Sequence, residues 1–230
     1  MSIAENIQNI REKIAVSAKK SGRNFEDITL IAVSKTIDVD RIAEAVNSGI
    51  TNLGENKVQE LVDKYPQIQN VNWHLIGHLQ TNKVKYIIDK AHLIHSVDSL
   101  KLAQEINSHA KRIEKIQNVL IQINISGETT KFGIPQIEVE NLLESLQNLD
   151  NIRVCGLMTI PPAYATYDEN KKLFEICNKL FIDIKAKNNH NICMEYLSMG
   201  MSGDFEAAIE MGSNIVRIGT GIFGERNYII

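Results

Sequence analysis

Ile28-Thr-Leu-Ile-Ala-Val-Ser-Lys35 is a β-branched, apolar run that ends on a single amine. A short run of this kind reads as a buried strand. A lysine at the tip of such a strand stands where barrels and open α/β sheets place reactive groups. Seven more strand candidates follow, at 51–53, 72–76, 93–97, 118–125, 152–158, 195–198 and 214–218. Amphipathic stretches lie between them, near 38–48, 56–64, 80–89, 99–114, 135–148, 167–187 and 203–211. Strands alternating with helices predict a parallel α/β fold, and eight strands close a TIM-type (β/α)8 barrel. Before the first strand, Ile3, Ile7, Ile10 and Ile14 recur at helical spacing. Only about a dozen residues follow the last strand, too few for a full crossover helix, so the N-terminal helix is expected to fill that place. No Pro-, Gly- or Ser-rich linker divides the chain, and one domain over 1–230 is expected.

At the other end of the chain, Asn214-Ile-Val-Arg-Ile-Gly-Thr-Gly-Ile-Phe-Gly224 reads as a strand running into a glycine-rich turn. The letters match G-x-G-x-x-G, but a dinucleotide site also needs a following helix, a strand and an acidic residue about 20 positions on. The chain ends at Ile230, so that reading fails. What remains is a backbone open to an anion, in the loop that commonly binds phosphate in this barrel. The preceding loop, Leu197-Ser-Met-Gly-Met-Ser-Gly-Asp-Phe-Glu206, has the look of a helix N-cap region, which also suits phosphate. Closure would make the first and eighth strands neighbours and set Lys35 beside the Gly219 loop. An amine and a phosphate grip that converge suit a phosphorylated aldehyde held as a Schiff base.

Composition removes several other classes. A hydrophobic fraction of 43% supplies a core, while a net charge of −3 and a pI near 6.1 leave no basic surplus for nucleic acid. Cys155, Cys177 and Cys193 are odd in number and lack CxxC spacing, as expected of free thiols in a reducing cytosol. No apolar run approaches the roughly 18 residues of a membrane span. The N-terminus, interrupted by Glu5, Arg11, Glu12 and Lys13, does not read as a signal peptide. A cytoplasmic monomer is expected. His74 and His78 are four apart on a strand-to-loop segment, which does not put them on one face, and no metal site is expected.

Two readings stand for several rim residues. Arg217 is either a ligand-facing cation or a buried arginine paired with a carboxylate; Asn56 either lines the rim or caps a helix. In the fifth strand, Gln122 and Asn124 alternate with Ile121, Ile123 and Ile125, so the polar pair should face a wet or ligand-bound interior.

Six segments carry a family resemblance: Ile31-Ala-Val-Ser-Lys-Thr36, Leu53-Gly-Glu-Asn-Lys-Val-Gln-Glu60, Trp73-His-Leu-Ile-Gly-His-Leu-Gln-Thr-Asn-Lys83, Gly156-Leu-Met-Thr-Ile160, Leu197-Ser-Met-Gly-Met-Ser202 and Val216-Arg-Ile-Gly-Thr-Gly-Ile-Phe-Gly-Glu-Arg226. In this order they resemble the pyridoxal phosphate homeostasis protein family (the YggS/PROSC type), related to the N-terminal barrel of alanine racemase. The resemblance implies a fold-type III barrel that binds pyridoxal 5′-phosphate (PLP), with Lys35 carrying it as an internal aldimine. It implies that Ser202, Gly219 and Thr220, with or without Ser198, hold the phosphate. Asn56 and Met158 would line the ring, and Arg217 would meet either the ring nitrogen or the phosphate.

Racemases of this barrel type take a second acid–base residue, a tyrosine, from an added C-terminal domain. This chain stops at the barrel, and none of Tyr65, Tyr86, Tyr164, Tyr167, Tyr196 and Tyr228 suits that role. The expected function is a non-catalytic PLP carrier in PLP homeostasis, with PLP-dependent apo-enzymes as the expected recipients. The alternatives are an amino-acid racemase or lyase and a Schiff-base aldolase.

Overall fold

The structure, a computed structural model, describes residues 1–162, 164–187 and 191–225. Arg226 and Tyr228, both named above, lie outside the described residues. Among the described residues nine strands form one all-parallel sheet: β1 (Thr29–Val33), β2 (Asn52–Glu55), β3 (Asn72–Leu75), β4 (Ala91–Val97), β5 (Gln117–Asn124), β6 (Ile134–Pro135), β7 (Ile152–Thr159), β8 (Ile192–Ser198) and β9 (Ile215–Ile218). Eight of them close a ring in the order β1-β2-β3-β4-β5-β7-β8-β9, and the two-residue β6 splints the end of β5 through Ile123 and Asn124. The decisive pairing is β1 with β9, which sets Ile31 against Arg217 and Ala32 against Ile218. Lys35 and Gly219 therefore leave adjacent strands at the same end of the barrel.

Alternation along each strand sorts the side chains. Leu53, Trp73, Leu75, Ile94, Ile121, Ile123, Leu157, Leu197, Val216 and Ile218 belong to the large apolar layer between sheet and helices. The opposite face contributes a separate, smaller apolar cluster: Ile31, Leu93, Leu120, Cys155, Met158 and Ile215. Branched aliphatic layers usually fill such a barrel; here His74, His95, Ser198 and Arg217 are buried as well.

The N-terminal helix α1 (Ile3–Lys20) starts with a capping box: Ser2 Oγ accepts the Glu5 N–H and Glu5 accepts the Ser2 N–H. Its buried isoleucine stripe packs α1 against α2 (Val39–Asn47), α7 (Phe205–Glu210) and the short α8 (Thr220–Phe223). Asn6 Nδ2 donates to Ile222 O at 2.9 Å, and Arg41 donates to Phe223 O, so α1 and α2 both anchor the turn that follows β9. The first helix does take the expected place. The remaining helices are α3 (Val58–Lys64), α4 (Leu100–Arg112), α5 (Val139–Leu146) and α6 (Tyr167–Lys185).

Three expectations change. The stretch 80–89 is a 3₁₀ turn, Thr81–Tyr86, rather than an α-helix; its lysine-rich exposed face leaves Val84 as its one buried residue. β8 begins at Ile192, three residues early, because Ile192 and Met194 are buried in alternation with exposed Cys193 and Glu195. Gln122 and Asn124 do oppose the isoleucines, but their amides hold a loop instead of wetting the centre. Gln122 Nε2 donates to Phe132 O at 3.3 Å and Asn124 Nδ2 to Glu128 O at 2.7 Å. Among the described residues no helix is long and apolar enough to cross a membrane, and no group of three or more His, Cys, Asp or Glu side chains is placed to hold a metal ion.

Candidate functional site

A cavity of about 260 Å³ opens at the C-terminal end of the barrel, lined by Val33, Lys35, Asn56, Ile76, Ile160, Met201, Ser202, Gly203, Arg217, Gly219 and Thr220. Six of the eight residues singled out above thus share one space: Lys35, Asn56, Ser202, Arg217, Gly219 and Thr220. Ser198 and Met158, both fully buried, do not line it. Met158 belongs to the interior apolar cluster, and Ser198 is one step behind Arg217. Asn56 is not a helix cap, since the residue before α3 is Lys57. Its backbone instead abuts Gly77, where a Cβ would come 2.3 Å from the Asn56 carbonyl oxygen.

The loops after β8 and β9 are stitched together. Ser202 Oγ accepts the Gly221 N–H at 3.2 Å, joining the loops after β8 and β9 into one wall. Asp204, which precedes α7, turns its carboxylate back to the Met201 N–H at 2.6 Å and shapes the loop rather than the helix end. A Cβ on Gly203 would meet nothing within 4 Å, so the backbone there is open towards the cavity it lines.

Arg217 is 3% exposed, and its guanidinium meets neutral acceptors: Ser198 Oγ at 2.7 Å and Thr159 O at 2.9 Å. Burial pulls its pKa down to about 10, partly opposed by the Asp204 charge, so it stays cationic at neutral pH. Among the described residues no ion pair at contact neutralises it. The carboxylate-paired reading is therefore replaced by a neutral hydrogen-bonded file. Ser198 Oγ lies 3.0 Å from His95 Nδ1, His95 Nε2 lies 3.0 Å from His74 Nδ1, and His74 Nε2 lies 3.1 Å from Asn52 Oδ1. Its direction follows from chemistry. Arginine can only donate, so Ser198 gives its own proton to His95, which passes an N–H to His74, which donates to the Asn52 carbonyl. Both imidazoles are then neutral with the proton on Nε2. Burial agrees, holding His74 down to about 3 and His95 well below its ordinary value. The file ends at a second cavity of about 210 Å³ at the opposite mouth, lined by Asn52, Asn72, His74, His92 and Tyr196 among others.

Below Lys35 lies a charged network that sequence reading missed. Glu55 is fully buried; its Oε1 accepts the Ser34 hydroxyl at 2.7 Å and the Lys64 ammonium at 2.8 Å. Lys64 also donates to Ser34 O at 2.8 Å and to Glu60 Oε2 at 3.1 Å. Burial raises the Glu55 pKa against the pull of Lys64 and Ser34. Burial would raise Glu60 too, but the Thr36 N–H and Lys64 outweigh it and the net direction is down. The i,i+4 spacing of Glu60 and Lys64 was the available signal. His78, which is not on the His74 face, stacks on Phe132 with centroids 4.1 Å apart.

The family model for the alanine racemase N-terminal domain matches residues 2–227. A pyridoxal phosphate homeostasis protein of Aquifex aeolicus is 41% identical, covering 99% of this chain and 100% of the relative. The chain belongs to the pyridoxal phosphate homeostasis protein family. The Escherichia coli protein of that name is 42% identical over 98% of this chain and 97% of its own length. Among solved structures, PipY of Synechococcus elongatus with PLP bound superposes with a TM-score of 0.85 at 30% identity, covering 97% of this chain and 100% of that one. The family's barrel is thus the one described above.

Proposed function

We propose that the chain, acting as one PLP-binding unit over residues 1–230, holds PLP in the C-terminal cavity and serves PLP homeostasis as a carrier without robust turnover. Its monomeric state, its cytoplasmic place and its delivery of PLP to apo-enzymes belong to the same proposal. The observation that carries the reading is convergence: one amine, a hydroxyl-and-glycine wall and a buried cation face a space of about 260 Å³. The homeostasis relatives and the PLP-bound neighbour support it.

The residues fit the group. Ser202, Thr220 and the backbone at Gly203 and Gly219 suit a phosphate, which hydroxyls and open backbone N–H groups bind well. Val33, Ile76, Ile160 and Met201 offer apolar walls for an aromatic ring. Lys35 supplies the nucleophilic amine and holds the ligand covalently. When bound, PLP contributes an aldehyde and an electron-withdrawing ring. Arg217, cationic at neutral pH, donates hydrogen bonds and has no proton to give up there.

The carrier reading is supported by the lining. Among the described residues, Lys35 and Arg217 are its titratable groups, and none of Tyr65, Tyr86, Tyr164, Tyr167 and Tyr196 lines it. Moving a proton between the two faces of an amino acid calls for a second acid–base group within hydrogen-bond reach. Titration with PLP should give a yellow protein with one ligand per chain, and Lys35→Ala should lack the absorbance band of the lysine adduct and yield no pyridoxyl peptide after borohydride. A colourless wild type that traps a sugar phosphate under borohydride would instead be an aldolase. Efficient conversion of L- to D-amino acids by the PLP-loaded protein would overturn the non-catalytic part.

A further inference from the structure

Building on the PLP reading, we infer that Glu60 and Lys64 of α3 are positioning residues for Lys35, clamping the backbone on both sides of it. Ser34 to Ile37 form a β-turn closed by the Ile37 N–H on Ser34 O at 3.0 Å. Lys35 is its second residue and Thr36 its third, with φ +63. A positive φ at the third position marks a type II turn and normally belongs to glycine. A β-branched residue there is strained, and such strain persists only where surrounding contacts over-determine it.

Two contacts do so. After Lys35, the Thr36 N–H donates to Glu60 Oε2 at 2.6 Å. Before it, Ser34 O accepts the Lys64 ammonium at 2.8 Å. Lys64 joins the two by bonding Glu60 at 3.1 Å, and anchors both to buried Glu55 at 2.8 Å. One face of α3 therefore grips the entry and the exit of the Lys35 turn. Neither Glu60 nor Lys64 lines the cavity, so both act through Lys35. An amine on a fixed turn meets the aldehyde with its backbone freedom already spent.

The test compares two probes on full-length protein: PLP, and pyridoxine 5′-phosphate, which has the same ring and phosphate but no aldehyde. In Glu60→Ala the rate of Lys35 adduct formation, followed by stopped-flow absorbance, should fall at least about tenfold, towards the roughly hundredfold cost of a 1 Å misplacement. Pyridoxine 5′-phosphate affinity, measured by calorimetry, should be unchanged. Adding Thr36→Gly should recover part of the rate, because glycine holds φ +63 without a tether. Glu60→Gln, which keeps an acceptor for the Thr36 N–H, should fall between Glu60→Ala and wild type. Adduct formation at the wild-type rate in Glu60→Ala overturns the positioning role, and so does an equal loss of both probes. A wild type that forms no Lys35 adduct overturns the PLP reading and the positioning role together; a reactive wild type with an unaffected Glu60→Ala overturns the positioning role alone.

Discussion

Lys64 and Arg217 are both buried cations, and the fold treats them in opposite ways. Lys64, beneath the Lys35 turn, is met by two carboxylates, Glu55 at 2.8 Å and Glu60 at 3.1 Å. Arg217, on the cavity wall, is met by a hydroxyl and a carbonyl, with neutral imidazoles behind the hydroxyl. A cation neutralised at contact is spent on structure. A cation met at contact by dipoles alone keeps most of its field for whatever enters the cavity, and the dipoles fix its direction in advance. The difference assigns one network to shaping the lysine turn and the other to presenting a charge.

Breaking the charged side should cost most. Lys64→Met leaves fully buried Glu55 without its cation, and the loss should be about 3–5 kcal/mol in denaturant unfolding. Adding Glu55→Gln should recover much of it. A cost no larger than that of an exposed pair would show that the network is not a buried ion pair.

The neutral side should be softer. Ser198→Ala removes the acceptor of one Arg217 N–H and the donor to His95, at about 1–3 kcal/mol of unfolding free energy. It should also weaken pyridoxine 5′-phosphate binding, whereas Glu60→Ala should not. Equal effects of the two substitutions on that ligand would erase the distinction between the regions.

Acid should reveal the same file. The folded pKa of His74 is depressed to about 3, so its contribution is fully present above pH 6.5 and is lost as pH falls from 6.5 towards 3. The slope from this one group should reach at most about 1.4 kcal/mol per pH unit, and His95 adds in the same direction. Urea midpoints measured across that window should flatten in His74→Phe. An unchanged slope would mean that the file is not held neutral.

The smallest effect belongs to the turn. Thr36→Gly relieves the strain at φ +63 but adds freedom to the unfolded chain, so stability should move by less than about 1 kcal/mol.

Much of this was legible from the residues. The apolar runs gave the eight barrel strands, and closure follows from their number and parallel order. Lys35, Ser202, Gly219 and Thr220 could be placed at the cavity because each lies within four residues of a strand's C-terminal end, where such barrels place their sites. Of the supporting networks, the charged one offered only the local Glu60–Lys64 pair, and the neutral file offered nothing, because its partners are distant in sequence. His74 and His95 are 21 apart, and His95 and Ser198 are 103 apart. Their meeting depends on strand register, and a one-residue shift would turn each side chain to the other face. Ser198 was visible as a serine at a strand end, yet which face it takes separates a cavity residue from one standing behind Arg217.

The most direct test is borohydride reduction of the PLP-loaded protein followed by peptide mass mapping. A pyridoxyl group is expected on the peptide that carries Lys35, with the other lysine peptides unmodified. A yellow protein whose Lys35 peptide comes back unmodified would contradict the role given to Lys35.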